Sequence, residues 1–166
     1  MYSLNVPVPS QVAALASDIA RDVPSARARS RGEHTLGVKR LGNTSYDHLE
    51  AETREVLTGQ PPFEIRIDGL DYFTDVIVGS TPVIYLSVDS PELVALHRRL
   101  ADVFEPIEGI EGDGYTPHVT IARGGSLDAA KRITKRDIEP IQWTVSELIF
   151  WDARRNQSVS SVSLPA

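Results

Sequence analysis

Tyr115-Thr116-Pro117-His118-Val119-Thr120-Ile121-Ala122-Arg123 is the most informative run in this chain. It follows a Gly/Pro-rich segment over 104–117, and His118–Arg123 has the composition of a short strand. Residues two apart in a strand share a face. His118 and Thr120 therefore point one way, while Val119 and Ile121 pack the other. A histidine beside a hydroxyl can move a proton while the hydroxyl holds a phosphoryl oxygen. The same residues also fit a core histidine next to a β-favouring threonine, and the run alone does not choose between them.

A second histidine opens a second predicted strand, over 33–41, within Glu33-His34-Thr35-Leu36-Gly37-Val38-Lys39-Arg40-Leu41-Gly42. Thr35 follows His34 directly, so a regular strand puts the two on opposite faces; a bulge near Gly37 would realign them. By itself this is a solvent-facing histidine at a strand edge. The two histidine strands lie half the chain apart. In each half a strand and helix lead into a histidine strand, followed by another helix and strand, without close sequence repetition. A pseudo-symmetric fold would set the two strands side by side. Two imidazoles across a cleft form an acid–base pair, and an unperturbed pKa near 6.5 makes both protonation states available.

Around these runs, residues 2–8 read as a strand and Ser10 as the N-cap of a helix through Val12, Leu15 and Ile19, ended by Pro24. Residues 25–32 read as a polar loop. Ser45 caps a helix stopped at Gly59. Phe63, Ile65 and Ile67 alternate in a strand over 63–69 that continues past Gly69, and 79–82 is a turn. Val83–Val88 is a strand, and Ser90-Pro91 starts a helix with proline at its first position. A helix is expected from Ser126 to Arg136, then strands over 141–152 and 157–164. The order is β-α-β-α-β-β-α-β-α-β-β in a single domain spanning 1–166.

The chain has 166 residues, no cysteine, four histidines and a formal net charge of −6. A chain this long buries roughly 68–70% of its unfolded surface and needs no staple. Zero cysteine excludes disulfide scaffolds, zinc fingers, iron–sulfur sites and thiol catalysis. No run approaches the roughly 18 apolar residues of a membrane span, and the N-terminus has no secretory pattern. The expectation is a cytoplasmic protein that does not meet a membrane. The acidic balance argues against an extended nucleic-acid track but permits a local site for one phosphate. P-loop, dinucleotide-fold and zincin motifs are missing, as is the lysine motif of adenylating ligases.

At this point the sequence resembles the two-histidine phosphoesterase superfamily, in its branch of 2′-5′ RNA ligase-like RNA 2′,3′-cyclic phosphodiesterases. The family mark is two His-x-Thr/Ser-x motifs separated by about half the chain. Pro117-His118-Val119-Thr120-Ile121-Ala122-Arg123 matches the second motif closely. In the first, His34 carries over but Leu36 holds the hydroxyl position; Thr35 substitutes through a bulge, or one phosphate contact is missing. The resemblance implies an α+β, bilobal, pseudo-symmetric fold with two antiparallel sheets lining a central cleft and helices outside. It implies metal-free, cofactor-free opening of a 2′,3′-cyclic phosphate to a 2′-phosphate, with joining of 2′-5′ linkages as a related activity. His34 and His118 would be the acid–base pair, and Thr120, Thr35 and Arg123 would contact phosphate. The partners would be RNA ends or small cyclic nucleotides, bound by a monomer. A non-catalytic RNA-end or nucleotide-binding module on the same fold is the rival reading.

Tyr115 either stacks on a base or is a loop aromatic covering the core. Arg27, Arg29 and Arg31 either guide an RNA end or form a solvated loop. His48 reads as part of a solvated helix face, His97 as surface or partly packed, and the cations at 131–136 as partners of a helix end. Trp143 and Trp151 read as core or edge packing.

Overall fold

Alternating apolar residues form the strands of this protein, and stripes at i, i+3 and i+4 form its helices. The computed structural model describes residues 1–30 and 32–166, so Arg31 of the basic run lies outside the described residues. The elements are β1 (Tyr2–Val6), α1 (Ser10–Ala20), β2 (Arg27–Ala28), β3 (Leu36–Gly42), α2 (Tyr46–Leu57), β4 (Phe63–Phe73), β5 (Val83–Asp89), α3 (Pro91–Ala101), β6 (His118–Arg123), α4 (Leu127–Ile133), β7 (Ile141–Val145), β8 (Glu147–Asp152) and β9 (Gln157–Ser163).

The fold is α+β, and the strand pairs are antiparallel. Two groups, β7-β4-β5-β6 and β3-β1-β8-β9, form the two lobes. They meet at one backbone pair, Leu36 with Val119, which joins them into a continuous path. Beyond that junction β2 takes over the free edge of β6, pairing Arg27 with Arg123 and Ala28 with Ala122. So little backbone pairing cannot hold two lobes together, and helices do most of that work. Helix α1 follows β1 in one lobe but packs on β6 of the other, while α3 follows β5 and packs on β3. Val12, Ala16 and Ile19 of α1 and Leu93, Leu96 and Leu100 of α3 are buried in the shared core. Each fully buried aliphatic side chain contributes about 1.5–3 kcal/mol.

Several boundaries differ from expectation for identifiable reasons. The first strand stops at Val6 because Pro7 and Pro9 cannot continue the ladder. Ser10 is the first helical residue, and Pro9 occupies the cap position without a side-chain bond. Ser90 is the cap expected of it: its Oγ accepts from Leu93 N at 3.2 Å and donates to Glu64 O at 2.7 Å. The predicted loop over 25–32 contains β2. The predicted strand over 33–41 begins only at Leu36, leaving His34 and Thr35 ahead of it. The predicted strand over 141–152 divides at Ser146, because the chain crosses between lobes there: β7 pairs with β4, while β8 pairs with β1 and β9. The last helix ends at Ile133 rather than Arg136, where Thr134 Oγ1 bonds back to Ala130 O at 2.8 Å.

A buried polar knot fixes β3 against the loop after α3. Lys39 and Glu111 form an ion pair at 2.9 Å with side chains 0% and 4% exposed. Lys39 Nζ also donates to Arg40 O at 2.6 Å and Glu105 O at 3.3 Å. Glu111 accepts from Arg40 N at 2.9 Å and Ile107 N at 3.0 Å. Burial works to raise the Glu111 carboxyl, but these N–H groups and the Lys39 ammonium together hold it below the usual carboxylate range. Glu111→Gln leaves a buried ammonium without its counter-charge and is expected to cost about 3–5 kcal/mol in urea unfolding. A loss under about 1 kcal/mol would show that the pair is dispensable.

Candidate active site

His118 stands at the start of β6, where Pro117 breaks the incoming loop. Its Nδ1 lies 2.7 Å from Thr116 O. A carbonyl only accepts, so Nδ1 carries the hydrogen and Nε2 keeps a free lone pair. Phe73 and Tyr85 stack on each other at 4.2 Å and meet the imidazole edge-on at 5.1 and 5.3 Å. Burial lowers the His118 pKa below the ordinary histidine value, and Arg123, Arg40 and Arg29 lower it further, against the pull of the Thr116 bond. His118 is therefore a neutral base at neutral pH. The Tyr85 hydroxyl is pushed up to about 12 by burial and by Asp71, so it stays protonated as a donor.

The register of β6 against β5 contains one irregularity. Ile84 and Tyr85 are consecutive on β5, but their partners Ala122 and Thr120 are two apart. Ile121 is an extra residue, and the alternation of faces reverses after it. Arg123, which regular alternation puts opposite His118 and Thr120, is turned back onto their face. Strand β3 does the same. Leu4 and Asn5 pair with Lys39 and Gly37, so Val38 is extra and Arg40 turns onto the face of Gly37. The spacing is identical in both lobes: Thr35-x-Gly37-x-x-Arg40 and His118-x-Thr120-x-x-Arg123, with the paired Leu36 and Val119 at matching places. The bulge expected near Gly37 exists at Val38, but it lies after His34 and Thr35. It reorients Arg40, while His34 and Thr35 precede the strand and stand outside its alternation.

This register corrects the expectation that the two histidines hold equivalent places. Thr35 is the counterpart of His118, and Gly37 that of Thr120; His34 lies one residue earlier. His34 is 8% exposed, and among the described residues neither of its ring nitrogens has a hydrogen-bond partner. It lines a cavity of about 200 Å³ with Thr35, Pro7, Val8, Ile149 and Trp151. Burial lowers its pKa most, Arg29 adds to that, and Glu33 opposes it. Among the described residues no hydrogen bond or ring contact joins His34 to His118, but the charge of Arg29 acts on both.

Arg123 donates to Val78 O at 3.2 Å and packs beneath Gly79, where a Cβ would meet its guanidinium at 3.0 Å. Tyr115 donates from its hydroxyl to Gly37 O at 2.7 Å, and its ring lies flat on His97 at 3.8 Å. One face of Tyr115 is thus already occupied, and the residue ties the loop before His118 to β3. His97, expected at the surface or partly packed, is fully buried. Its Nδ1 lies 2.7 Å from Val38 O, and Gly112 N donates to its Nε2 at 2.8 Å. Its place beside Leu93, Leu96 and Leu100 on one helical face is the signal for burial. His48 is exposed and lies 3.6 Å from Glu52 on the same helix.

The two antiparallel strand groups meet at Leu36 and Val119, with the His118 imidazole and the Arg123 guanidinium on one face of β6. Residues 35–157 match the sequence profile of the 2′-5′ RNA ligase superfamily. The protein belongs to that superfamily, and the matched span opens at Thr35, one residue past His34. E. coli LigT in its apo form superposes with a TM-score of 0.69 at 16% identity, covering 99% of this chain and 97% of that one. E. coli LigT complexed with 3′-AMP gives 0.65 at 16% identity, with 99% and 98% covered. TT0787 of Thermus thermophilus gives 0.61 at 16% identity, with 98% and 94% covered. At these identities the likeness is one of fold. Curated protein sequences contain no match. Among the described residues no helix is long and apolar enough to cross a membrane.

His34, His97 and His118 all have pKa values lowered by burial in the folded protein. The unfolded chain, with histidines near 6.5, binds more protons just below that pH. Stability contributed by the neutral rings is therefore complete above about pH 6.5 and lost as pH falls toward the lowered values. Urea midpoints should decline between about pH 7.5 and 5.5, above the range where carboxylates titrate. A midpoint that is flat or rises on acidification contradicts this.

Proposed function

We propose that this protein is a phosphodiesterase that opens 2′,3′-cyclic phosphate ends of RNA, or small cyclic nucleotides, to 2′-phosphates. The observation that carries the reading is His118: its tautomer is set by Thr116, among the described residues its Nε2 makes no hydrogen bond, and Arg123 shares its face of β6. Superfamily membership and the LigT complex with 3′-AMP support a nucleotide substrate.

In this reading His118 Nε2 takes a proton from water as the water oxygen bonds to phosphorus. The P–O3′ bond breaks in line, and His34 supplies the proton to the departing 3′-oxygen. The Thr120 and Thr35 hydroxyls and the Arg123 guanidinium stabilise the charge on the phosphoryl oxygens. The phosphate anion also favours the protonated form of a nearby imidazole, which suits His34 to the acid role. With a strand's 5′-hydroxyl in place of water the same forward step joins a 2′-5′ linkage, and its reverse, attack of the 3′-hydroxyl on that linkage, cleaves it.

Turnover of a short RNA with a 2′,3′-cyclic end tests this. His118→Ala and His34→Ala should each lose about 10²–10⁴ in kcat while staying folded, and Thr120→Ala less. Full activity in His118→Ala would sink the mechanism. Full activity in His34→Ala would remove the second imidazole from it. The displaced register of His34, and Gly37 in the place matching Thr120, favour one rival: a module that binds RNA ends without converting them. Tight binding by wild type with no turnover selects it.

A further inference from the structure

Three arginines, Arg29, Arg40 and Arg123, share the face of the sheet that carries His118. Arg123 lies on the His118 face because Ile121 is an extra residue, and Arg40 lies on the matching face of β3 because Val38 is. Arg29 comes from the segment after β2. Its backbone N–H donates to Ile121 O at 3.1 Å, and Arg27 pairs with Arg123, so alternation turns Arg29 to the same face. This is the junction where β2 and β3 share the edge of β6. Among the described residues, none of these three guanidinium groups makes an ion pair with a carboxylate, although Arg54 and Arg136 do. Arg40 is exposed, and Arg29 and Arg123 are half-buried. The Arg123 pKa is lowered by burial and by the neighbouring charges of Arg29 and Arg40. The cluster is thus self-repelling, in a protein that is acidic as a whole, and a 2′,3′-cyclic phosphate brings a single negative charge to it.

We propose that Arg29 and Arg40 form a second phosphate subsite next to the His118 site. The cleft then takes a strand end carrying two neighbouring phosphates in preference to an isolated cyclic mononucleotide. The inference rests on the reading of the site as a phosphoesterase and names its substrate class. His118, Thr120 and Arg123, all on β6, hold the reacting phosphate. Arg40 from the other lobe, which has Gly37 where a hydroxyl would stand, holds the next phosphate toward the 5′ side. Arg29 sits between the two.

Calorimetric titration with adenosine 3′-monophosphate and adenosine 3′,5′-bisphosphate tests this without any turnover. Wild type should bind the bisphosphate about tenfold or more tightly, as expected for an added charge-assisted contact. Arg40→Gln should erode that preference and leave monophosphate affinity within about twofold, while Arg29→Gln, between the two phosphates, should weaken both ligands and the bisphosphate more. Arg40→Lys should keep part of the preference. Arg123→Gln should weaken both ligands. Equal binding of the two ligands by wild type overturns the subsite, even if RNA hydrolysis is observed. A bisphosphate preference that survives in both glutamine variants overturns it too. A preference that depends on Arg29 and Arg40 in a protein without turnover retains the subsite and rejects the hydrolase reading.

Discussion

The Lys39–Glu111 pair is the constraint on which the site depends. An extra residue in β3 frees backbone groups from the ladder, and buried polar groups must be satisfied. Lys39 and Glu111 supply the partners: the ammonium takes Arg40 O and Glu105 O, and the carboxylate takes Arg40 N and Ile107 N. His97 and Tyr115 cover Val38 O and Gly37 O. The backbone around the bulge is thereby fixed to the loop that leads into His118. The pair holds the strand irregularity, the irregularity aims Arg40, and the same contacts anchor the approach to the imidazole.

The two lobes share a backbone plan but not a chemistry. Each central strand has the same two-residue step followed by an extra residue and an arginine. In β6 the leading positions are His118 and Thr120; in β3 they are Thr35 and Gly37. Paired bulges reproduce the guanidinium on both sides, while imidazole and hydroxyl stand in register on one. His34 lies outside the strand, lining a cavity, and among the described residues neither of its ring nitrogens is hydrogen-bonded.

Local signals are legible in the sequence and long-range ones are not. The bounds of His118–Arg123 and the Ser90 cap depend on neighbours within a few residues and can be read directly. Bulges depend on the register of a partner strand, and the sequence near Val38 or Ile121 has no mark of them. Arg40 therefore carries no local signal, and Arg123 is placed at the site only by resemblance. His97 sits on an apolar helical stripe, yet Arg98 and Arg99 beside it make the segment look like surface. Its partners, Val38 and Gly112, are close only in the fold. Ser146 looks like one residue of a continuous strand because both sides of it alternate correctly, and only pairing shows that each side belongs to a different lobe.

The crossed packing of α1 and α3 has a mechanical consequence. Opening the cleft as two rigid halves would peel α1 from β6 and α3 from β3, exposing Val12, Ala16, Leu93 and Leu96 together. That cost falls on the hydrophobic core, so rigid-body hinging about the single Leu36–Val119 junction is opposed by the burial of both helices, and the strand pairing there needs no reinforcement of its own.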